Sequence, residues 1–245
     1  MSQLAEKTAL VTGADGGFGR AMVSALAEAG ARVAASDLDA PSNGKAEITL
    51  PLDVTQPDDW ISAVQRLTRD FGRLDILVNN AGFIITKDFR ETELQDLNLL
   101  MSVHVGGALL GMQAALPLMR EHGGTIVNIC SIAGLVAAPP FAAYGAAKAA
   151  LRGLSKSAAI TCAELDPPIR VNCISPSFAD TPMLEDIATA LGDPDKVKAK
   201  LGQRQPMPGF ISAQEVAAAV VYLASDAAAH VTGADLVIDG GYSAQ

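Results

Sequence analysis

The stretch TALVTGADGGFGRAMVSALAEAG, residues 8–30, decides the fold. It reads as a short β-branched strand, a glycine-rich turn holding Gly13, Gly17 and Gly19, and a helix that starts inside the turn. Missing side chains let an anion approach the backbone, and the helix N-terminus supplies free N–H groups and a positive dipole, so the turn suits a pyrophosphate. Glycine spacing alone is weak evidence. The second strand, RVAASD (32–37), strengthens it by ending in Asp37, 18 residues past Gly19 (37 − 19), about where a dinucleotide fold places the acid that accepts from the adenosine ribose. An acid there repels a 2′-phosphate, and Leu38 and Asp39 offer no cation to neutralise one, which favours NAD over NADP. The competing reading of Asp37 is a plain turn former after a strand.

Working outward, ITLPLDV (48–54), LDILVNNAG (74–82), GTIVNICS (124–131), IRVNCIS (169–175) and ADLVIDGG (234–241) complete seven expected strands. Between them lie expected helices at 17–30, 58–71, 97–121, 142–165 and 212–225, with capping pairs Thr55/Asp58 and Ser212/Glu215 at two starts. Strict alternation implies right-handed crossovers and an α/β fold with a parallel sheet covered on both faces. The exception is 177–209, with four prolines and only a weak helical pattern near 184–201; such an insertion at a strand's carboxyl end reads as a substrate lid.

Length and composition bound the function. A chain of 245 residues without a linker or repeat reads as a single domain spanning 1–245. It is 49% hydrophobic and 18% charged with mean hydropathy +0.26, so some apolar surface is expected to meet another subunit. A net charge of −9 opposes binding to nucleic acid or an anionic membrane. Cys130, Cys162 and Cys173 fit neither a disulfide framework nor a zinc site, and His104, His122 and His230 lack ligand spacing, so no metal is expected. With no signal-peptide pattern at the start, the expected compartment is the cytoplasm. Residues 97–119 carry no Asp, Glu, Lys or Arg and are long enough to cross a bilayer, but their polar residues, glycines, Pro117 and absent basic flanks favour a helix buried between the sheet and a partner.

At AAYGAAK (142–148), Tyr144 and Lys148 stand four apart among small residues. On a helix they share a face and reach one common point. Taken alone, a snorkelling lysine beside a half-buried tyrosine explains the pair as well.

The ordered set TGADGGFG (12–19), LDVT (52–55), NNAG (79–82), NICS ending in Ser131, YGAAK, RVNCISP (170–176) and DGGY resembles the short-chain dehydrogenase/reductase superfamily, in its Tyr-x-x-x-Lys subfamily, from about Lys7 to Gly241. Ser131 precedes Tyr144 by 13 residues (144 − 131), as that resemblance requires. It implies a Rossmann-like doubly wound domain with strand order 3-2-1-4-5-6-7. It places the NAD cofactor on the turn residues Gly13, Asp15, Gly17, Phe18 and Gly19, on Asp37 and Leu38, on Asp53 and Val54 at the adenine, and on Asn80, Ala81 and Gly82. Tyr144, Lys148, Pro176, Ala179 and Thr181 follow toward the nicotinamide. Ser177 replaces the usual glycine after Pro176, a departure expected to stiffen the lid's first hinge.

By the same resemblance Tyr144 is the acid/base of alcohol oxidation and Ser131 holds the substrate oxygen, with Lys148 lowering a phenol pKa of about 10 and holding the ribose. The implied function is hydride transfer between the nicotinamide and a secondary alcohol or its ketone. A catalytically silent dinucleotide-binding regulatory or structural protein of the same fold is the alternative. Phe83, Leu135, Phe141, Phe178, Met183 and Leu184 are expected to line an apolar substrate pocket. Many relatives carry Asn where this chain has His104, where it braces a helix kink beside a proton path. Imidazole either substitutes as a neutral packing group or joins the relay, which adds a pH limb near about 6.5. The long apolar helices imply a homo-oligomer, a tetramer with a dimer as fallback. Wider Tyr–Lys spacing in enoyl reductases, arginine at the lysine position in halohydrin dehalogenases and the missing Gly-x-Ser-x-Gly elbow argue against those chemistries.

Overall fold

The computed structural model describes residues 3–42 and 44–245. Seven parallel strands form one sheet in the order β3-β2-β1-β4-β5-β6-β7. They are β1 Thr8–Thr12, β2 Arg32–Asp37, β3 Ile48–Pro51, β4 Ile76–Asn79, β5 Gly124–Ile129, β6 Ile169–Pro176 and β7 Asp235–Ile238. β1 and β4 are buried along their whole length, as strands covered on both faces must be. The order reverses between β1, which pairs with β2 through Thr8↔Arg32, and β4, which pairs with β1 through Ala9↔Ile76. A crevice opens outside the carboxyl ends at such a switch point.

Helices cover both faces. α1 (Gly17–Glu28) packs on α8 (Ala213–Ala224) over one face, where Met22, Val23, Leu26, Val216 and Val220 are fully buried. On the other lie α2 (Pro57–Asp70), α3 (Leu94–Met101), α4 (Gly107–Met119) and α5 (Ala142–Ala163). The Ser212/Glu215 capping box forms as expected, with the serine hydroxyl accepting from Glu215 N and the carboxylate accepting from Ser212 N. The Thr55/Asp58 box does not. Pro57 takes the first helical position, where no N–H is lost, so the cap falls on Gln56, and Thr55 instead donates its N–H and hydroxyl to Asp53 Oδ1.

Two further differences matter for the site. The 97–121 helix runs over Leu94–Met119 and is interrupted by a π-helical turn at Ser102–Gly106. With mean hydropathy 1.5 over its best window it is the one described helix long and apolar enough to span a membrane; Leu100, Ala108, Met112, Ala115 and Met119 are nonetheless buried within the fold. The weak 184–201 helix is two, α6 (Pro182–Leu191) and α7 (Pro194–Gly202), separated by Gly192 at φ +135 and Asp193, whose carboxylate caps α7. α6 and α7 pack on each other and, through Leu184, Ile187 and Leu201, on Phe141 and Tyr144. Ser177 needs no glycine conformation, since its φ is not positive, and its N–H is held by Ile238 O at 2.9 Å.

Candidate active site

One cleft of about 880 Å³ runs across the carboxyl ends of the strands, with the glycine turn at one end and the α6–α7 segment at the other. At the turn, Gly13 has φ +64, and a Cβ there would stand 2.7 Å from Ala81 Cα. A Cβ on Gly17 would meet Thr181 Cγ2 at 2.8 Å, so the turn lies directly under the start of the α6 segment. α1 begins after Gly16 with no side-chain cap, leaving its first N–H groups facing the cleft. Gly19 is absent from the cleft lining, and a Cβ there would lie 2.1 Å from Gly13 O, so its missing side chain lets α1 sit against the turn.

The remaining expected dinucleotide residues do line it. Asp37 Oδ2 accepts from Asp15 N and Oδ1 from Leu38 N, both at 2.9 Å, which fixes the carboxylate at the rim. Arg20 is tied to Asp15, at 3.0 Å from Oδ1 and with Nε donating to the carbonyl. Asn80 Nδ2 donates to Thr12 O and Gly13 O, while Thr12 Oγ1 accepts from the N–H groups of Asn80 and Ala81. The end of β4 is thereby clamped to the glycine turn. A turn that admits no Cβ, an uncapped helix start and a fixed carboxylate beyond it together fit a dinucleotide's pyrophosphate and ribose.

At the far end Ser131, Tyr144 and Lys148 converge on the cleft. Ser131 follows β5 and caps a single 3₁₀ turn, Ile132–Gly134, its Oγ accepting from Ala133 N at 3.1 Å. α5 begins at Ala142 and places Tyr144 and Lys148 one turn apart, as the spacing predicts. Lys148 Nζ donates to Ile129 O at 2.8 Å and lies 5.6 Å from the Tyr144 ring centre. Burial pushes the phenol up to about 12, opposed by its hydrogen bond with Ser131, and burial pushes the Lys148 ammonium down to about 8. In the free protein burial is the largest influence on the phenol, and the lowering assigned to Lys148 is left to the cofactor-bound site.

His104 sits on the π-helical turn, 3% exposed, edge-on to the Tyr144 ring with centres 5.4 Å apart. Its Nε2 lies 2.8 Å from Phe83 O, so Nε2 carries the hydrogen; Nδ1 is then a buried acceptor without a partner in the protein. Gly82 makes room for the ring, since a Cβ there would lie 2.2 Å from Cε1. Burial and the Lys148 cation push His104 down to about 3, which favours the neutral packing reading over a titrating limb near pH 6.5.

The pocket beyond Tyr144 is lined by Phe83, Phe141, Phe178, Met183 and Leu184, as expected. Leu135 is exposed and not among its walls; Val136 and Ala138 line the cleft there instead. Ile187 and Leu201, which sequence reading misses, also line it, as do the lid's Arg204, a cation beside the apolar set, and Tyr242, likewise missed. The last two are joined by a 3.2 Å hydrogen bond from Arg204 Nη1 to Tyr242 Oη. Helical spacing in 184–201 could have found Ile187, but no sequence signal brings residue 242 to residue 204. The three cysteines are free and buried, and no metal-holding cluster occurs among the described residues.

Comparison with known proteins agrees with this geometry. Residues 13–243 match the family described as Enoyl-(Acyl carrier protein) reductase. The cyclopentanol dehydrogenase of Comamonas sp. is 37% identical over the full length of both chains. The NADP-dependent (R)-specific alcohol dehydrogenase of Lentilactobacillus kefiri is 33% identical over 99% of each. The ligand-free aldohexose dehydrogenase of Thermoplasma acidophilum superposes with TM-score 0.92 at 31% identity, covering 100% of this chain and 96% of the other. The chain belongs to the short-chain dehydrogenase/reductase family. Its curated relatives are dehydrogenases of alcohols, which makes it an oxidoreductase of the nicotinamide-using kind.

Proposed function

We propose that the protein is an NAD-dependent dehydrogenase that moves a hydride between a secondary alcohol, or its ketone, and the nicotinamide, with Tyr144 as acid/base. The observation that carries this reading is the convergence of Ser131, Tyr144 and Lys148 between an apolar pocket and a glycine cradle in one cleft. When bound, NAD accepts the hydride and brings a positive charge to the reacting end. The protein's own groups do the rest. Ser131 Oγ donates to the substrate oxygen, and Tyr144 Oη takes the hydroxyl proton in oxidation and returns it in reduction. Lys148 holds the nicotinamide ribose and adds its charge to that of the oxidised ring, together offsetting the burial that keeps the free phenol protonated. His104 stays neutral and packs behind the phenol.

Asp37 supports the choice of NAD: its carboxylate is fixed by two backbone N–H groups, and the nearby Arg20 is already paired with Asp15. The aromatic and aliphatic walls favour a compact, uncharged alcohol, and a cyclic one is consistent with the cyclopentanol named for the Comamonas relative. The α6–α7 segment serves as the lid over it. Reduced-nicotinamide absorbance with cyclopentanol, cyclohexanol and acyclic secondary alcohols, each with NAD and NADP, tests the proposal. Turnover with NAD on at least one of them is expected; tight NADH binding with no turnover on any favours the silent dinucleotide-binding protein instead.

A further inference from the structure

Arg152 lies on α5 one turn beyond Lys148, away from the cleft lining, yet it joins three elements. Its Nε donates to Asp235 Oδ2 at 2.5 Å, at the first residue of β7, and its Nη1 donates to Gly134 O at 3.0 Å, at the end of the 3₁₀ turn that Ser131 caps. The pair is largely buried, with side-chain exposures of 21% and 11%. Asp235 Oδ1 is also buried and takes no other hydrogen bond, so the carboxylate is committed to this arginine.

The same turn is pressed onto α5 at two more points. A Cβ on Gly134 would stand 2.8 Å from Lys148 C and Ala149 N, and one on Gly145 would stand 2.7 Å from Ala133 O. Backbone therefore meets backbone, and apart from the hydrogen bonds of Ser131 with Tyr144 and of Lys148 Nζ with Ile129 O, only packing stops the Gly134 end of the turn from sliding along the helix. Arg152 supplies the directional restraint. A guanidinium fork can hold a carboxylate and a carbonyl together, which a lysine ammonium on a shorter fixed reach does not reproduce.

We infer that Arg152, held by Asp235, is a positioning residue that sets where Ser131 stands relative to Tyr144. The inference rests on the proposed role of Ser131 toward the substrate oxygen. Misplacing a hydrogen-bond donor by about 1 Å costs up to about 100-fold in rate, so a small slip of the turn suffices to matter.

The test is a double-mutant cycle on kcat with cyclopentanol or the best alcohol found, using Arg152→Lys, Asp235→Asn, Ser131→Ala and the two combinations with Ser131→Ala. Melting temperature and the Kd for NADH are measured on each protein. Arg152→Lys and Asp235→Asn should each lower kcat about tenfold or more while leaving NADH affinity within about twofold. In the Ser131→Ala background neither should lower kcat further, because the group they position is gone. Losses that multiply across the cycle, or an Arg152→Lys protein with wild-type kcat, would overturn the inference and leave the dehydrogenase reading intact. Wild-type kcat in Ser131→Ala alone would instead overturn the role given to Ser131, and the positioning role with it. A structural defect shows separately, as a fall in melting temperature and NADH affinity that Ser131→Ala does not suppress.

Discussion

Asp37 and His104 are the residues whose environment carries the most consequence beyond the proposed catalytic trio. Two backbone N–H groups fix the Asp37 carboxylate at the rim of the cleft, and on the proposed reading it repels a 2′-phosphate. The expected kcat/KM ratio is about 100-fold or more in favour of NAD, about 3 kcal/mol, and Asp37→Ser should narrow it chiefly by improving use of NADP. Steady-state kinetics with both cofactors checks this; equal use of the two by the wild type counts against the assignment. His104 is a stability determinant. Its folded pKa of about 3 lies below the ordinary 6.5, so the unfolded chain binds the extra proton first, and stability present above pH 6.5 is lost as pH falls toward 3. At pH 5 the loss from this group is about 2 kcal/mol, 1.5 pH units at 1.36 kcal/mol each. Denaturant titrations at pH 5 and 7 should show His104→Asn losing less stability on acidification than the wild type by about that amount. His104→Ala, which leaves Phe83 O without its donor and a cavity beside Gly82, should be less stable than either at both pH values. An unchanged pH dependence in His104→Asn would mean that the imidazole is already protonated or exposed.

At the scale of elements, the α8 capping box offers a plain check on local energetics. Ser212→Ala should cost about 1 kcal/mol of stability, read from chemical unfolding, because it removes the acceptor for Glu215 N and loosens the reciprocal bond to the carboxylate. The two capping pairs look alike in sequence, and only one forms, which shows where sequence reading stops. Ser212 precedes Ala213 directly, whereas Thr55 has Pro57 two residues on and Asp53 two residues back, and those neighbours redirect its hydroxyl. β1, the glycine turn and the start of α1 were legible because glycine, an apolar run and Asp37 each demand a specific backbone context. The π-helical turn at Ser102–Gly106 leaves no compositional mark, since one residue inserted into a helical ladder does not change the pattern; only the resemblance puts a kink at His104. Likewise the Arg152–Asp235 pair spans 83 residues and joins elements that only the sheet order brings together. Gly19 shows the limit of the glycine signal, since close helix packing and approach to a ligand both select glycine, and the structure shows the packing.

For the molecule as a whole, the apolar surface still exposed on a single chain is the unresolved quantity. Leu94, Leu99 and Leu109 on α3–α4, Ile160 on α5 and Leu165 just past its end are exposed, on or beside the segments that carry His104, Tyr144 and Lys148. We propose that these helices pair about a two-fold axis and that the protein is a homotetramer, or a dimer if only one such face is used. Light scattering coupled to size-exclusion chromatography should give a mass near four chains at micromolar concentration, and a stable monomer rules the pairing out. Such an assembly would hold α5 from its solvent side while the α6–α7 segment covers the cleft from the other. Core, sheet order and site then fit together: the switch point between β1 and β4 opens the crevice, and β5 and α5 bring Ser131, Tyr144 and Lys148 to its far end beside apolar walls.

The central claim is that Tyr144 moves the proton while the cleft binds the dinucleotide without it, and one comparison tests it most directly. NADH affinity by fluorescence and kcat for alcohol oxidation across pH 6–10 are measured on wild type and Tyr144→Phe. The phenol is neutral in the free protein, pushed up to about 12, and acts as base once deprotonated, so wild-type oxidation should rise with pH while reduction falls. Tyr144→Phe should bind NADH within a few-fold of wild type and lose about 1000-fold or more in kcat, within the range assigned to general acid/base groups. A Tyr144→Phe enzyme that keeps wild-type kcat and its pH profile would contradict the account.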